Sequence, residues 1–238
     1  METPILYRGI AVPSTRAEEV ITTIAAHGIA GTEGTWLFSI PDIMEIRSRL
    51  DWLFDKPDLS RDDLFAICPF PGVCACGSES GALHYAMHHN VTAENSFSIV
   101  IEFVAPEDEV YVDPRDFLCT AFQLWDRHTA HRREAQARVL AELFGPRIVR
   151  YFEAAVQSSD QRYRIGMCNL AAFDPEVLRG HYANSRIIGG RYNTRFTSAF
   201  FVKAPVESKR VRRVYPANPD PQTSAGITLE AFLRGEGA

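Results

Sequence analysis

Arg8 is the residue of this chain whose type and position most clearly suggest a chemical role. It lies in the short apolar segment 4–10, where strand alternation places it on one face with two aliphatic neighbours. A guanidinium cannot lose its proton, so burying it is costly unless an anion meets it. Gly9 would let another group approach the strand closely. Arg8 is therefore either half of a buried ion pair, with Glu102 or Asp113 as candidate partners, or a receptor for a phosphate-bearing ligand.

Two further motifs combine polar side chains with strand and helix signals. The first is Ser78-Glu79-Ser80, which follows a small-residue strand at 72–77 and opens a helix over 78–89. The second is Glu107-Asp108-Glu109, which precedes the short strand Val110-Tyr111-Val112. Each also has a simple structural interpretation, because serine often caps helices and acidic clusters often form solvated turns.

The three motifs, in this chain order, resemble the arginine–serine–glutamate class of ADP-ribosyltransferases. That family of toxins, effectors and cell-surface enzymes has an arginine in a Tyr-Arg-Gly-like strand, a Ser-Thr-Ser strand before a helix and a Glu-x-Glu pair. The resemblance covers about the first half of the chain. Position 79 departs from the family pattern, because it is glutamate where the family has threonine.

The resemblance implies that NAD is the co-substrate and that Arg8 binds its phosphates through charge-assisted hydrogen bonds. It also implies a nucleotide pocket formed by Gly9, Ser78 and Ser80. A carboxylate near the nicotinamide ribose would stabilise the positive charge that develops as nicotinamide leaves. By resemblance this carboxylate is Glu109, and Glu107 engages the acceptor.

Three other carboxylates stay open as alternatives to that pair. Asp113 lies just beyond the strand 110–112, and Glu79 and Glu207 also border strands. Asp113 is the main rival, because the transferases that modify rifamycins work with an aspartate instead of the glutamate.

The helix after Ser78 carries more candidate ligands. Tyr85 and His84 are expected beside the nucleotide, with His84 as a hydrogen-bond donor. His84 and His88 are four residues apart on one helix face, but no acidic or thiol partner is fixed by spacing, so no metal is expected. The segment Gly-Gly-Arg-Tyr-Asn at 189–193 resembles a turn of the RES-domain toxins, another NAD-consuming group, and suggests a second phosphate-binding loop.

The order of elements predicts an α+β fold. Strands are expected at 5–10, 35–38, 72–77, 97–104, 110–112, 199–202 and 210–215. Helices are expected at 15–27, where Thr15-Arg16-Ala17-Glu18 has the form of a capping box, from Ser39 to about 53, at 78–89 and through much of 115–157, with a break at Gly145-Pro146. With the resemblance, this predicts one ADP-ribosyltransferase-like split β-sandwich domain over 1–215. A helical insertion is expected at about 115–186 and a loosely ordered tail at 216–238.

Composition narrows the classes of binding partner and the cellular compartments that we expect for this protein. The net charge of −5 argues against a general nucleic-acid binder, and no apolar run is long enough to span a bilayer. Five cysteines, at positions 68, 74, 76, 119 and 168, are odd in number and scattered, which favours buried free thiols. We expect a protein that is cytoplasmic or is delivered into a target cell without a classical signal peptide.

The sequence thus predicts a mono-ADP-ribosyltransferase of the toxin or effector kind, with a host or rival-cell protein as acceptor. Two alternatives remain. One is an NAD glycohydrolase or phosphorylase that degrades NAD, and the other is a binding module without catalysis, in which Arg8 is structural.

Overall fold

The computed structural model describes residues 3–31, 71–91, 95–115, 117–123, 130–190, 193–218 and 226–236. Within these ranges the chain forms nine strands and eight α-helices, which confirms the α+β class. The strand expected at 35–38, the helix expected after Ser39 and the cysteine at position 68 lie outside the described residues.

The strands are β1 (Ile5–Pro13), β2 (Gly72–Cys76), β3 (Ser96–Val104), β4 (Val110–Val112), β5 (Ile188–Gly189), β6 (Arg195–Phe196), β7 (Ala199–Lys203), β8 (Val211–Pro216) and β9 (Ile227–Thr228). The helices are α1 (Ala17–His27), α2 (Glu79–His84), α3 (Phe117–Gln123), α4 (Ala130–Phe144), α5 (Ile148–Val156), α6 (Gln161–Ala172), α7 (Pro175–Tyr182) and α8 (Leu229–Arg234). A π-helical turn, Tyr85–His89, continues α2. Single 3-10 turns precede α1, β4 and β8.

The first helix shows how closely the sequence predicted local structure. It ends at His27, and Gly28 follows with a φ of 81°, as expected for a glycine that stops a helix. Its start differs, because Ser14–Arg16 forms a 3-10 turn. The capping box expected at Thr15 is wrong, since no side chain caps the helix at Arg16.

Contacts divide the chain into two compact units, which we call the strand unit (1–32, 71–113 and 185–227) and the helical unit (33–70, 114–184 and 228–238). In the strand unit, six strands form one antiparallel sheet in the order β4-β7-β2-β1-β3-β8, and a small sheet has the order β6-β5-β9. β1 pairs with β3 along its whole length, from Ile5 to Pro13. It meets β2 where Tyr7 faces Cys76, so this short seam joins two three-stranded halves.

The core of the strand unit is built around β3 and the helix that follows Ser78. The side chains of β3 from Ile99 to Phe103 are buried almost completely. α2 packs on β1 at Gly9, where a Cβ atom would lie 1.8 Å from the carbonyl oxygen of Ala82. Beyond the π turn, the side-chain amide of Asn90 donates to the carbonyl oxygen of Gly9 at 2.8 Å. Glycine at position 9 therefore lets the helix backbone touch the strand.

Substitution of Gly9 should destabilise the protein. We expect Gly9→Ala to lower the free energy of unfolding by about 2 kcal/mol or more, because the added carbon overlaps a backbone atom that cannot rotate away. Denaturant unfolding measures this change. The matched control is Gly81→Ala, where the nearest atom to the added carbon is 3.2 Å away and alanine favours the helix. A Gly9→Ala protein as stable as the control would contradict the close packing.

The helical unit is held by aromatic packing and by one buried carboxylate. Phe117 lies edge-on to Phe232, with ring centroids 5.4 Å apart. Asp174 caps α7 by accepting from the backbone N–H of Glu176 at 2.8 Å. The same carboxylate accepts from the Tyr151 hydroxyl at 2.6 Å and from the Arg147 guanidinium at 3.0 Å. One aspartate thus fixes the start of α7 against α5.

Most helices of this unit lie within 115–186, and the interpretation of that segment as an insertion stays a prediction. The predicted break at Gly145-Pro146 is confirmed, because α4 ends at Phe144 and Gly145 has a φ of 80°. The C-terminal segment differs from the loose tail that proline content suggested. Residues Leu229–Arg234 form α8, which the Thr228 hydroxyl caps by accepting from the N–H of Ala231 at 3.1 Å.

Burial, and then the nearby Asp174 carboxylate, raise the pKa of Tyr151 far above its ordinary value. Stability from the neutral phenol is therefore fully present below the unfolded pKa of about 10 and is lost as pH rises above it. We expect the free energy of unfolding to fall by about 1.4 kcal/mol per pH unit in that range from this group. Tyr151→Phe should reduce the slope, and Tyr182→Phe, at an exposed position, should not. Equal slopes for wild type and Tyr151→Phe would contradict this assignment.

Candidate functional site

Three strand ends meet at one edge of the sheet, and they bring several predicted site residues together. Cys76, the last residue of β2, lies opposite Ala199, the first residue of β7. The N–H of Asp113, just past β4, donates to the carbonyl oxygen of Ala199 at 2.9 Å. The N–H of Gly77 donates to the carbonyl oxygen of Ser198 at 2.8 Å. Asp113 and Ser78 therefore follow β4 and β2, the two strands that flank β7, at the same end of the sheet.

Arg8 reaches this edge from β1. Its Nη1 atom donates to the carbonyl oxygen of Cys74 at 2.9 Å, so the half-buried guanidinium spans the seam between β1 and β2. Glu102, one of its two predicted partners, is instead bound by Arg213 of the neighbouring strand β8. Within the described part of the chain, no carboxylate forms an ion pair with Arg8. The guanidinium keeps donors that no described residue uses.

The buried thiol of Cys76 reports the charges at this edge. Burial raises the pKa of Cys76 far above its ordinary value, and the neighbouring Cys74 and the Asp113 carboxylate raise it further. The Arg8 guanidinium opposes the rise. The charges of Arg8 and Asp113 thus both act on the Cys76 sulfur at the end of β2.

The two predicted serines lie at the start of α2. Ser78 has extended backbone and caps the helix, with its Oγ atom accepting from the N–H of Gly81 at 3.3 Å. The hydroxyl of Ser80 donates to the same Oγ atom at 3.3 Å. Capping uses a lone pair of Ser78 Oγ, so the hydroxyl proton of Ser78 can still be donated to another group. The structural interpretation of Ser78 is therefore correct, and a ligand role remains compatible with it.

Glu107 and Glu109 lie at the other end of β4 from Asp113. The 3-10 turn that contains them precedes Val110, which faces Val202 near the far end of β7. Four residues of extended chain place Glu109 about 13 Å from Asp113. The carboxylate of Glu109 is bound by Arg210 through both of its oxygens. The catalytic roles of Glu107 and Glu109 stay predictions, and the structure brings neither of them to the edge where Ser78 lies.

The remaining carboxylate alternatives have local partners. Glu79 accepts a hydrogen bond from the Tyr215 hydroxyl at 2.7 Å. Burial of Tyr215 and this contact raise the pKa of the phenol far above its ordinary value. Glu207 pairs with Lys209 at 2.7 Å on the surface. Asp113 is the carboxylate alternative that lies at the end of the sheet where Ser78 lies.

A pocket of about 180 Å³ opens beside the same helix. Its lining residues are Ser80, Gly81, Leu83, His84, Met87, His88, Ile187, Arg195, Phe196 and Thr197. The volume equals about six waters' share of the liquid, which suits one ring-sized group rather than a whole dinucleotide. His84 and His88 stack obliquely here, with ring centroids 5.0 Å apart.

The glycine-rich turn that resembles a RES-domain segment contacts His84, one of the residues that line the pocket. The Nε2 atom of His84 hydrogen-bonds the carbonyl oxygen of Asn193 at 2.9 Å. Asn193 has a φ of 59°, and Gly190 donates to the carbonyl oxygen of Thr194 at 3.0 Å. Of the turn, positions 191 and 192 lie outside the described residues. The helix that carries His84 and the turn that carries Asn193, two residues that are 109 positions apart in sequence, therefore meet at one imidazole.

Tyr85 and Gly9 have placements that differ from the other predicted ligands. Tyr85 begins the π turn, a feature often found at functional sites, and its ring lies edge-on to that of His84 at 6.4 Å. Gly9 is covered by the backbone of α2. Their predicted contacts with NAD stay predictions.

Sequence reasoning missed Arg195, Phe196 and Thr197. Arg195 is exposed at the pocket, and no described carboxylate pairs with it. The available signal was a cation two residues beyond a glycine-rich turn and just before an apolar strand. That pattern is weak in a chain with 25 Lys and Arg residues, and it gains meaning only from the fold.

No group of three or more His, Cys, Asp or Glu side chains suited to a metal ion occurs among the described residues. None of the helices seen in those ranges has the length and apolar character to cross a bilayer. Comparisons of the chain with protein-family models, with curated proteins and with solved structures find no match.

Arg8, which pairs with no described carboxylate, predicts an anion-binding site that can be measured without catalysis. We expect ADP-ribose, at a concentration about 100-fold above its dissociation constant, to stabilise the wild-type protein by about 2.7 kcal/mol, seen as a rise in melting temperature. Arg8→Met should abolish the rise. Arg212→Met is the matched control, because it removes an exposed arginine of β8, and it should keep the full effect. An equal rise in Arg8→Met and wild type would show that Arg8 does not bind the ligand.

Proposed function

We propose that this protein is a mono-ADP-ribosyltransferase whose strand unit is an ADP-ribosyltransferase-like split β-sandwich. The observation that carries the proposal is the position of Arg8. Its guanidinium spans the seam between β1 and β2, binds a carbonyl oxygen and has no carboxylate partner among the described residues. A half-buried arginine in that state favours an anionic ligand.

The phosphates of NAD meet that requirement. A pyrophosphate offers several oxygens to the guanidinium fork, which forms short charge-assisted hydrogen bonds with such groups. Ser78 and Ser80 begin a helix at the adjoining strand end, where their hydroxyls can hold a ribose. His84 and the ring-sized pocket lie farther along the same helix. This order suits a dinucleotide that extends from Arg8 along α2.

Asp113 is the carboxylate that the geometry favours for the reaction. It lies at the strand end beside Ser78 and acts on the same buried thiol as Arg8. A carboxylate there would stabilise the oxocarbenium-like charge that develops on the ribose as nicotinamide leaves. Glu109, which the family resemblance favours, is held by Arg210 at the far end of β4. We therefore propose Asp113 for this role, with Glu107 and Glu109 as the alternatives.

The acceptor in this proposal is a side chain of a target protein. ADP-ribose would pass from the NAD ribose to that side chain, and nicotinamide would leave. A bacterial toxin or effector acting on a host or rival-cell protein is the setting that the family resemblance implies.

A second function is favoured by the contact between His84 and Asn193. The glycine-rich turn at 189–193 resembles that of NAD-degrading toxins, and it lies against the helix that carries Ser80 and His84. With water or phosphate as acceptor, the same site would hydrolyse or phosphorolyse NAD. Release of nicotinamide without any labelled protein would favour this function over transfer.

Two assays with matched variants test the proposal. The purified protein is incubated with NAD to measure nicotinamide release, and with biotinylated NAD in a mixed cell lysate to detect labelled proteins. We expect Asp113→Asn to lower the rate of nicotinamide release about 100-fold or more, because transition-state charge loses its counter-charge. Arg8→Gln should weaken NAD binding, and Glu109→Gln should stay within a few-fold of wild type.

Two other results would contradict parts of the proposal. If Glu109→Gln abolishes release and Asp113→Asn retains it, the carboxylate assignment reverses to the one the family resemblance implies. If the wild-type protein releases no nicotinamide and calorimetry detects no NAD binding, both NAD functions are wrong and a non-catalytic binding module remains.

A further inference from the structure

A pair of cysteines in the helical unit lies outside every site described above. Cys119 is in α3 and Cys168 is in α6, and these two helices pack against each other. Their Sγ atoms are 2.8 Å apart, which is closer than an ordinary non-bonded contact between sulfur atoms. Neither of them is in a disulfide in this structure. Cys168 is fully buried and Cys119 is partly exposed.

We propose that Cys119 and Cys168 form a reversible disulfide when the protein meets a thiol oxidant. A disulfide bond is about 2.05 Å long, so the two sulfur atoms need to move together by less than 1 Å. The two helices already pack against each other in the reduced protein, so they hold the sulfur atoms close together before the bond forms. The inference does not depend on the proposed enzymatic function.

The reaction is a thiol–disulfide exchange with a low-molecular-weight disulfide as the oxidant. The partly exposed Cys119 thiolate attacks one sulfur of the oxidant, and one small thiolate leaves. The Cys168 thiolate then attacks the Cys119 sulfur of this mixed disulfide, and the second small thiolate leaves. The protein loses two electrons and two protons, and the oxidant gains two electrons and yields two thiols.

The other described cysteines form a natural comparison. Cys74 and Cys76 are two residues apart on one extended strand, β2, and are not joined by a disulfide. Cys76 is buried, and the pKa of its thiol is raised far above the ordinary value, which leaves little thiolate to react. We expect this pair to stay reduced under conditions that oxidise Cys119 and Cys168.

Peptide mapping of the full-length protein tests the bond directly. The protein is equilibrated with oxidised or reduced glutathione, quenched with acid, alkylated and digested with trypsin. Cleavage after arginine separates Cys119, on fragment 116–127, from Cys168, on fragment 165–179, and from the other three cysteines, on fragment 62–115. We expect fragments 116–127 and 165–179 to be linked after oxidation and separate after reduction. Alkylation of both thiols after oxidation, or linkage of either fragment to 62–115, would overturn the proposal.

A thermal measurement gives a second, independent readout. The bond closes a long loop, so the oxidised wild-type protein should melt about 5–10 °C above the reduced protein. Cys119→Ser should melt like the reduced wild type under both conditions, because its partly exposed position tolerates the change. The control Cys74→Ser should keep the shift. A shift that persists in Cys119→Ser would show that another reaction causes it.

Discussion

A positive charge at the seam of the six-stranded sheet is the constraint on which the strand unit depends. Arg8 joins the two halves of the sheet through the carbonyl oxygen of Cys74. Glu102 lies on the strand next to Arg8 but is engaged by Arg213, so it does not neutralise Arg8. A buried ion pair would have neutralised the charge at the seam. Because no described carboxylate pairs with Arg8, the guanidinium instead gives the seam a positive potential that attracts anions from solution.

The helix beside the seam is held as firmly as the strands. Gly9 admits the backbone of α2, and Ser98 donates to the carbonyl oxygen of Ala86 at 2.8 Å from the neighbouring strand. His84 then holds the glycine-rich turn through Asn193. Groups on this helix are therefore positioned by backbone contacts with β1 and β3. Such a scaffold lets short polar side chains meet a ligand at low entropic cost.

The sequence predicted local secondary structure better than it predicted which side chains contact each other. The strand 97–104, the cap at Ser78 and the break at Gly145 follow from alternation, capping preference and backbone freedom, which are local properties. The partner of Glu109 could not be predicted, because Arg210 is 101 residues away and only the sheet brings the two together. Our preference for Asp113 over Glu109 also could not be predicted from local sequence. The register of β4 against β7 decides which of these carboxylates lies at the end of the sheet where Ser78 lies.

The π turn that follows α2 makes this segment sensitive to the insertion or deletion of a residue. In it the N–H of Asn90 bonds to the carbonyl oxygen of Tyr85, five residues back, so the turn holds one residue more than an α-helical turn. One helical residue corresponds to a rotation of about 100°. Removing a residue here would turn the Asn90 amide away from Gly9 with little change in helix length. An insertion or deletion in this segment would therefore change the orientation of the Asn90 side chain about the helix axis more than its distance along the axis.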